Sequence, residues 1–388
     1  MKTSDFFFDL PEHLIAKYPP PKRGASRLML LNRKTGNRQH CMVSDLSEIL
    51  SGPDFRNSKG QAPLLVFNNS RVRKARLKAS LKALSVTAGA VSREAEFLLL
   101  KRIDSHTWQT MVNRAKRRRI GSRYCFEGGI EGEIVDSSLK EKDNFGGEEF
   151  RYVRFDSPID DNWLDMYGHV PLPPYLKRVD ESSDSDRYQT VYADRRAGVN
   201  LGPGASAAAP TAGLHFTDEL FAQFDRAGIE KVFITLHVGL GTFLPVRTEH
   251  IEEHLMHEEV YNISEEAAGK INAAKTAGRI IIAVGTTAVR TLESACNDGR
   301  IKAGEGTTSI FIYPGYRFKM VDALFTNFHT PGSTLLMLVS AFANANAGAF
   351  AEGNAGAFTG RQLILESYAE AIREKYRFFS YGDAMLIW

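Results

Sequence analysis

A two-part α/β architecture is predicted: a discontinuous α/β catalytic domain with an inserted small antiparallel β-barrel domain. Two observations carry it. Beyond residue 217 helix-like and strand-like segments alternate, the pattern of a mainly parallel sheet covered by helices. Upstream, short β-rich runs coincide with a local excess of positive charge. From Leu64 to Arg123 there are fifteen Lys and Arg against Glu94, Glu96 and Asp104, a window charge of +12; the 388 residues together carry +3, which leaves −9 for the remainder. Such asymmetry marks a separate module with an anionic partner.

The β-rich runs are Glu96–Leu100, Thr107–Val112, Arg123–Phe126, Glu133–Val135 and Phe150–Phe155, separated by Gly, Asp, Asn and Ser as in a small barrel. The insertion is placed at 63–157 and the α/β domain at 1–62 and 158–388. The polar stretch Asp180–Arg187 reads as a loop. Thr217 is an N-cap with Asp218 and Glu219 in the first turn, Leu220, Phe221 and Phe224 form an apolar face, and Gly228 is a stop. Val232–Leu236 reads as a strand. Ser264 caps a second helix that ends at Gly278 before the apolar Ile280–Val284, which should be a central strand. Thr286 or Thr287 opens a third helix running to Gly299, and Ser309–Ile312 returns as a strand. The Ala/Gly-rich Ala343–Gly360, with NAGAF twice, reads as a loop insertion.

Composition bounds the function. With 43% hydrophobic residues and 49 basic against 46 acidic side chains, the chain is neither disordered nor collagen-like. Cys41, Cys125 and Cys296 match neither a disulfide framework nor a zinc site, so a reducing cytoplasm is expected. Asp5 and Asp9 break the first apolar run, and Leu335–Ala343 falls far short of the roughly 20 residues a membrane crossing needs.

Five segments put Gly, Thr, His and aromatic residues where a strand meets a loop: Pro210–Phe216, Thr235–Phe243, Val284–Arg290, Ile312–Phe318 and Thr326–Ser333. In open α/β sheets ligands collect there, because loop amides and helix N-termini converge. His254, His257 and Glu258 in EEHLMHEEVY lack the i, i+4 histidine pair of a zinc helix, so no metal is expected; a bland surface helix or general acid/base work are the two readings. Arg114–Arg123 holds six cations and no acid. It reads as a solvated hairpin or as a grip on phosphates by counterion release, joined by the Asn69–Arg73 turn, and the charge sum favours nucleic acid.

These residues resemble one known family, the S-adenosylmethionine:tRNA ribosyltransferase-isomerases of queuosine biosynthesis. The likeness spans nearly the whole chain and rests on Asp5–Leu28, VFNNSRVRKARL, the AKRRRIGS element, VPLPPYLKR, RYQTVYA and APTAGLHFT. It continues through TLHVGLGTFLPVR, HLMHEEVY, AVGTTAVRTLES, FIYPGYRFK, ALFTNFHTPGSTLLMLVSAF and YRFFSYGDAMLI. Compared with the family pattern the chain is longer at Ser51–Gln61, Leu84–Arg93, around Val199–Ser206 and at Ala343–Gly360, none of which interrupts these motifs.

The resemblance implies that the ribosyl part of S-adenosylmethionine is transferred to 7-aminomethyl-7-deazaguanine at the tRNA wobble position and rearranged to an epoxycyclopentanediol, with release of adenine and methionine. S-adenosylmethionine is then a consumed co-substrate, and neither cofactor nor metal is expected. The expected state is a cytoplasmic monomer. The sulfonium acidifies the 5′ carbon, which asks for a base, and adenine departure asks for a proton donor. Those duties fall among His215, His237, His257 and Glu258, unassigned between them. Thr286 and Thr287 at a helix N-terminus suit the methionine carboxylate; Tyr313, Phe318 and Phe328 suit a base sandwich, or else the core. Further binding candidates are Thr211, Thr242, Gly285, Arg290, Asn327 and His329. Arg71, Arg73, Arg114, Lys116, Arg117, Arg118 and Arg119 are the candidate tRNA contacts, and the cationic insert is expected to present the anticodon nucleotide to the sheet rim. Two rivals are an S-adenosylmethionine-dependent RNA methyltransferase, which would leave S-adenosylhomocysteine, and a non-catalytic tRNA-binding protein.

Overall fold

The computed structural model describes residues 1–82, 94–136, 150–194, 206, 208–239, 246, 248–344 and 359–388. In chain order these hold β1 (Arg27–Leu31), β2 (Arg38–Met42), α1 (Leu46–Ser51) and β3 (Leu64–Asn68). Then come β4 (Arg76–Leu81), β5 (Glu94–Arg102), β6 (Thr107–Val112), β7 (Arg123–Phe126), β8 (Glu131–Val135) and β9 (Phe150–Phe155). After these follow α2 (Asp161–Tyr167), α3 (Asp184–Arg187), α4 (Asp218–Arg226), β10 (Glu230–Leu236), β11 (Glu259–Ile263), α5 (Glu265–Thr276) and β12 (Ile281–Val284). The last elements are α6 (Thr286–Ala295), β13 (Cys296–Asn297), β14 (Arg300–Ile301), β15 (Gly304–Thr308), β16 (Ala323–Asn327), α7 (Thr334–Asn344), α8 (Gly360–Arg373) and β17 (Ala384–Ile387).

Nine strands form one sheet in the order β15-β11-β10-β3-β12-β16-β17-β1-β2, and β4 to β9 close a separate six-stranded barrel. The sheet is mixed rather than mainly parallel: β10, β3, β12 and β16 run parallel at its centre, while β2, β11 and β15 are antiparallel additions at the edges. The central strands are buried along their whole length, so alternate residues feed cores on both faces. In β3, Leu64 and Val66 join the core under α5 to α8, whereas Leu65 and Phe67 join the one under α4. The apolar face of α4, Leu220, Phe221 and Phe224, fills that second core. The predicted caps form: Thr217 Oγ1 accepts from the Leu220 N–H at 3.2 Å and Ser264 Oγ from the Ala267 N–H at 3.1 Å.

Four further expectations are corrected. Leu64–Asn68 belongs to the large sheet, so the barrel strands begin at Arg76 and not near 63; a strand buried on both faces reads as an unbroken apolar run, which the neighbouring charge obscured. The third helix stops at Ala295, because the Asp298-Gly299 turn closes a hairpin of β13 and β14. The following strand is Gly304–Thr308, not Ser309–Ile312; it pairs antiparallel with β11. The polar loop Asp180–Arg187 contains α3, and its Asp184 is buried, clasped by both Arg178 Nη atoms at 2.6 and 2.7 Å and by the Tyr381 hydroxyl at 2.8 Å. A polar string conceals a core residue when its partner lies elsewhere in the chain. The NAGAF pair and Thr242 lie outside the described residues.

Candidate active site at the sheet rim

The four parallel strands end on one edge of the sheet, where loop amides converge. From β10 to β16 is three strand spacings, about 14 Å. Where β3 and β10 part, the buried Asn68 side chain replaces the ladder: it donates to the Leu236 carbonyl and accepts from the Leu236 N–H, both at 3.0 Å, and accepts from the Ser70 N–H at 3.1 Å. His237 follows directly. Its N–H donates to the Val260 carbonyl at 3.0 Å, and the ring is buried with neither nitrogen hydrogen-bonded. Burial first, and the Arg73 charge second, depress its pKa to about 4.

His215 closes the short turn Thr211–His215, which packs on β16. Only glycine fits at 213, since a Cβ there would stand 2.0 Å from the Tyr192 hydroxyl oxygen. Asn327 Nδ2 donates to His215 Nε2 at 3.2 Å and to the Phe379 carbonyl at 3.0 Å, which places the imidazole proton on Nδ1. Burial holds this histidine's pKa at about 4 as well. Both imidazoles are therefore neutral at pH 7, suited to accept a proton rather than to give one.

Gly285, at φ +89°, turns β12 into α6, with Ala212 packed 3.4 Å from where its Cβ would be. No side chain caps α6 and no acid occupies its first turn. Thr287 Oγ1 is buried without a hydrogen-bond partner. One turn on, Arg290 is 4% exposed and pairs through Nη1 with Glu259, itself 4% exposed, while Nε reaches the Ile310 carbonyl at 3.3 Å. The other Glu259 oxygen accepts from the Gly239 N–H at 2.9 Å, and Arg290 Nη2 has no partner. Buried polar groups are nearly always paired, and Thr287 Oγ1, Arg290 Nη2 and the His237 ring are exceptions at this rim.

The barrel grows out of this rim. Its first strand follows β3 through Asn69–Ala75, and the Gln189 amide grips Val72 in that linker, accepting from its N–H at 3.2 Å and donating to its carbonyl at 3.1 Å. Outgoing and returning chain are zipped together by Arg76 and His169, whose backbone N–H groups each donate to the other's carbonyl. Arg71 pairs with Asp165 at 3.6 Å and Arg73 with Asp161 at 3.3 Å, both acids from α2.

Comparison with known proteins finds relatives along the whole chain. A family model described as queuosine biosynthesis protein matches residues 3–351 and 354–387. The S-adenosylmethionine:tRNA ribosyltransferase-isomerases of Treponema denticola and Clostridioides difficile are 47% and 46% identical to this chain, each alignment covering all of both proteins. A crystal structure of S-adenosylmethionine tRNA ribosyltransferase from Thermotoga maritima is 31% identical, covers 99% of this chain and all of its own, and superposes with a TM-score of 0.50.

The chain belongs to the queuosine biosynthesis protein family.

Within this family member the rim gathers His215, His237, Thr211, Gly285, Thr286, Thr287, Arg290 and Asn327 from separate segments. Other candidates lie elsewhere. Glu258, the residue before β11, is exposed, and the buried carboxylate is its neighbour Glu259, the first residue of the strand. His257, half-buried, lies beyond the strand end beside His254. Phe328 is fully buried among Tyr368, Tyr376 and Phe378 and offers no face for stacking, which leaves the half-buried Tyr313 and Phe318. His329 is held in the core: Nε2 meets Thr326 Oγ1 at 2.9 Å, its N–H donates to the Tyr368 hydroxyl at 2.9 Å, and burial lowers its pKa to about 3. Arg118 is 9% exposed, over the Tyr124 ring, and is lost as a surface cation. Sequence reasoning missed Glu259 and Asn68; the EEVY and VFNN strings contained them, but only strand register shows which side chain faces inward. Among the described residues no group of three or more His, Cys, Asp and Glu is placed to hold a metal.

Proposed function

We propose that this enzyme moves the ribosyl group of S-adenosylmethionine onto the aminomethyl group of 7-aminomethyl-7-deazaguanine at the tRNA wobble position, and isomerises it to the epoxycyclopentanediol of epoxyqueuosine with loss of adenine and methionine. S-adenosylmethionine is the co-substrate, with no further cofactor, and the cytoplasm is the compartment. The observation that carries the reading is His237: a neutral, buried imidazole with both nitrogens unbonded, at the edge where the tRNA-facing linker and the unpaired donors of α6 meet.

In this reading His237 takes the proton from the 5′ carbon that the sulfonium has acidified. His215 is the weaker candidate, because its Nε2 lone pair already accepts from Asn327. The first-turn amides of α6, Thr287 Oγ1 and Arg290 Nη2 receive the methionine carboxylate; the helix dipole and a guanidinium already balanced by Glu259 favour an anion without leaving an isolated charge. Tyr313 or Phe318 stacks a base.

The test is product analysis. With S-adenosylmethionine and tRNA carrying the aminomethyl-deazaguanine, mass spectrometry should find the epoxide-bearing nucleoside and free adenine in equal amounts, and tRNA carrying guanine should be inert. S-adenosylhomocysteine with a methylated base would assign a methyltransferase, and binding without either product a non-catalytic tRNA-binding protein.

A further inference from the structure

Strand parity in the barrel separates its cationic loop from the sheet rim. Every neighbouring pair in the closed barrel is antiparallel. The chain enters at Arg76 from the rim side, so β4, β6 and β8 run away from the sheet and β5, β7 and β9 run back. The connections after β5 and β7, and the exit after β9, therefore lie at the near end. The segment after β6, Asn113–Ser122, lies at the far end, about 15–20 Å from the rim for strands of this length and the usual barrel tilt.

The near end is mixed in charge: it carries Asp104, Glu127, Glu131, Asp156 and Asp160 together with Arg76, Arg102 and Arg154, and the linker arginines Arg71 and Arg73 are paired with acids of α2. The far-end segment itself has no acid; Glu94 and Glu96 at the start of β5 are the exposed carboxylates beside it, and Glu133 on β8 is engaged by Arg123. Arg114, Lys116, Arg117 and Arg119 are exposed.

This loop is built rather than merely solvated. Arg118 turns inward over Tyr124 and donates through Nη2 to the Glu94 carbonyl at 3.2 Å. Arg151 donates through Nε to the Arg118 carbonyl at 3.0 Å and through Nη2 to the Ala115 carbonyl at 2.6 Å. Arg114 takes the left-handed conformation at φ +55°, and the Arg117 and Arg118 N–H groups close tight turns at 2.9 Å. Two inward arginines thus hold the backbone, and Arg114, Arg117 and Arg119 stay exposed.

We propose that the far end of the barrel is a phosphate grip, holding tRNA about one barrel length from the reacting nucleotide, with Arg118 and Arg151 as positioning residues. The grip takes RNA backbone by charge and leaves base selection to the rim. It deepens the reading above and rests on it for the identity of the RNA. The wobble nucleotide then meets the linker, where Arg73 lies beside His237, and not the cationic loop.

The experiment uses the full chain carrying Arg117→Gln and Arg119→Gln together, and separately Arg151→Gln. Binding of full-length tRNA is measured across a KCl series, and steady-state kinetics with the aminomethyl-deazaguanine tRNA. Each lost phosphate contact should lower the slope of log affinity against log salt by about 0.7–0.9. The double variant is expected to lose one to two units of slope and to raise the tRNA KM about tenfold or more, with kcat at saturation changed less than twofold. Arg151→Gln should lose part of the same slope with an unchanged circular dichroism spectrum; should it unfold, the double variant, which alters only exposed side chains, decides alone. On stem-loops cut progressively shorter, wild type and double variant should converge once the RNA no longer spans the barrel. An unchanged slope, or a fall in kcat with KM intact, overturns the grip while leaving the reaction untouched. Absence of turnover in wild type overturns the reaction, and the salt series still decides the grip.

Discussion

Glu258 and Glu259 are adjacent carboxylates with opposite fates, and replacing each with Ala measures what burial does. Glu259→Ala leaves the Arg290 guanidinium, 4% exposed, without its counter-charge and strips the Gly239 N–H of its acceptor. Breaking a buried pair from one side costs about 3–5 kcal/mol, and an orphaned amide about 1 kcal/mol more. Against a native stability on the order of 5–15 kcal/mol this is about half of the total at mid-range. Glu258→Ala, at an exposed site, should stay within about 0.5 kcal/mol of wild type. Urea unfolding at pH 7 followed by far-ultraviolet circular dichroism compares the two, with Glu259→Gln as an isosteric control expected to lose about half as much. Because the proposed site uses Arg290 to receive the methionine carboxylate, the Ala variant should raise the S-adenosylmethionine KM more than it lowers kcat. If Glu258→Ala proves the more damaging change, the assigned strand register of β11 is wrong and the argument for the rim falls with it.

His237→Gln should lower kcat by about 10²–10⁴-fold with tRNA affinity little changed, the signature of a lost base; unaltered turnover returns His237 to a structural role. Acid should destabilise the protein early. His215 and His237 titrate near 4 when folded and near 6.5 when unfolded, so the stability they contribute is complete above pH 6.5 and is lost as pH falls towards 4. At pH 5 this is about 2 kcal/mol each, and a urea midpoint that stays level between pH 7.5 and 5 would show that the imidazoles are not buried neutral. Phe328→Ala should cost about 3–5 kcal/mol through the cavity it opens, whereas Tyr313→Ala should cost much less and act on substrate binding; denaturation and KM measured on both separate core from stacking ring.

Local signals carried much of the fold. The caps at Thr217 and Ser264, the apolar run before Gly285 and the alternating strands of the barrel lie where their residues point, since each reports on interactions within a few positions of the chain. Elements whose meaning depends on a distant partner did not read correctly. Leu64–Asn68 looks like the start of the β module until β10 and β12 are seen on either side of it. Asp184 looks like a loop acid until Arg178 and Tyr381 close on it.

The amino acids in linear order point to candidate rim segments and to a cationic insert, because Gly, Thr and His at strand ends and runs of Arg are visible without coordinates. They leave open which carboxylate faces inward, which arginine of AKRRR supports the loop instead of contacting solvent, and at which end of the barrel the charge sits. Those answers come from register and strand parity, which arise only when segments far apart in the chain pair. A one-residue shift in that pairing would exchange Glu258 with Glu259 while leaving every sequence motif intact.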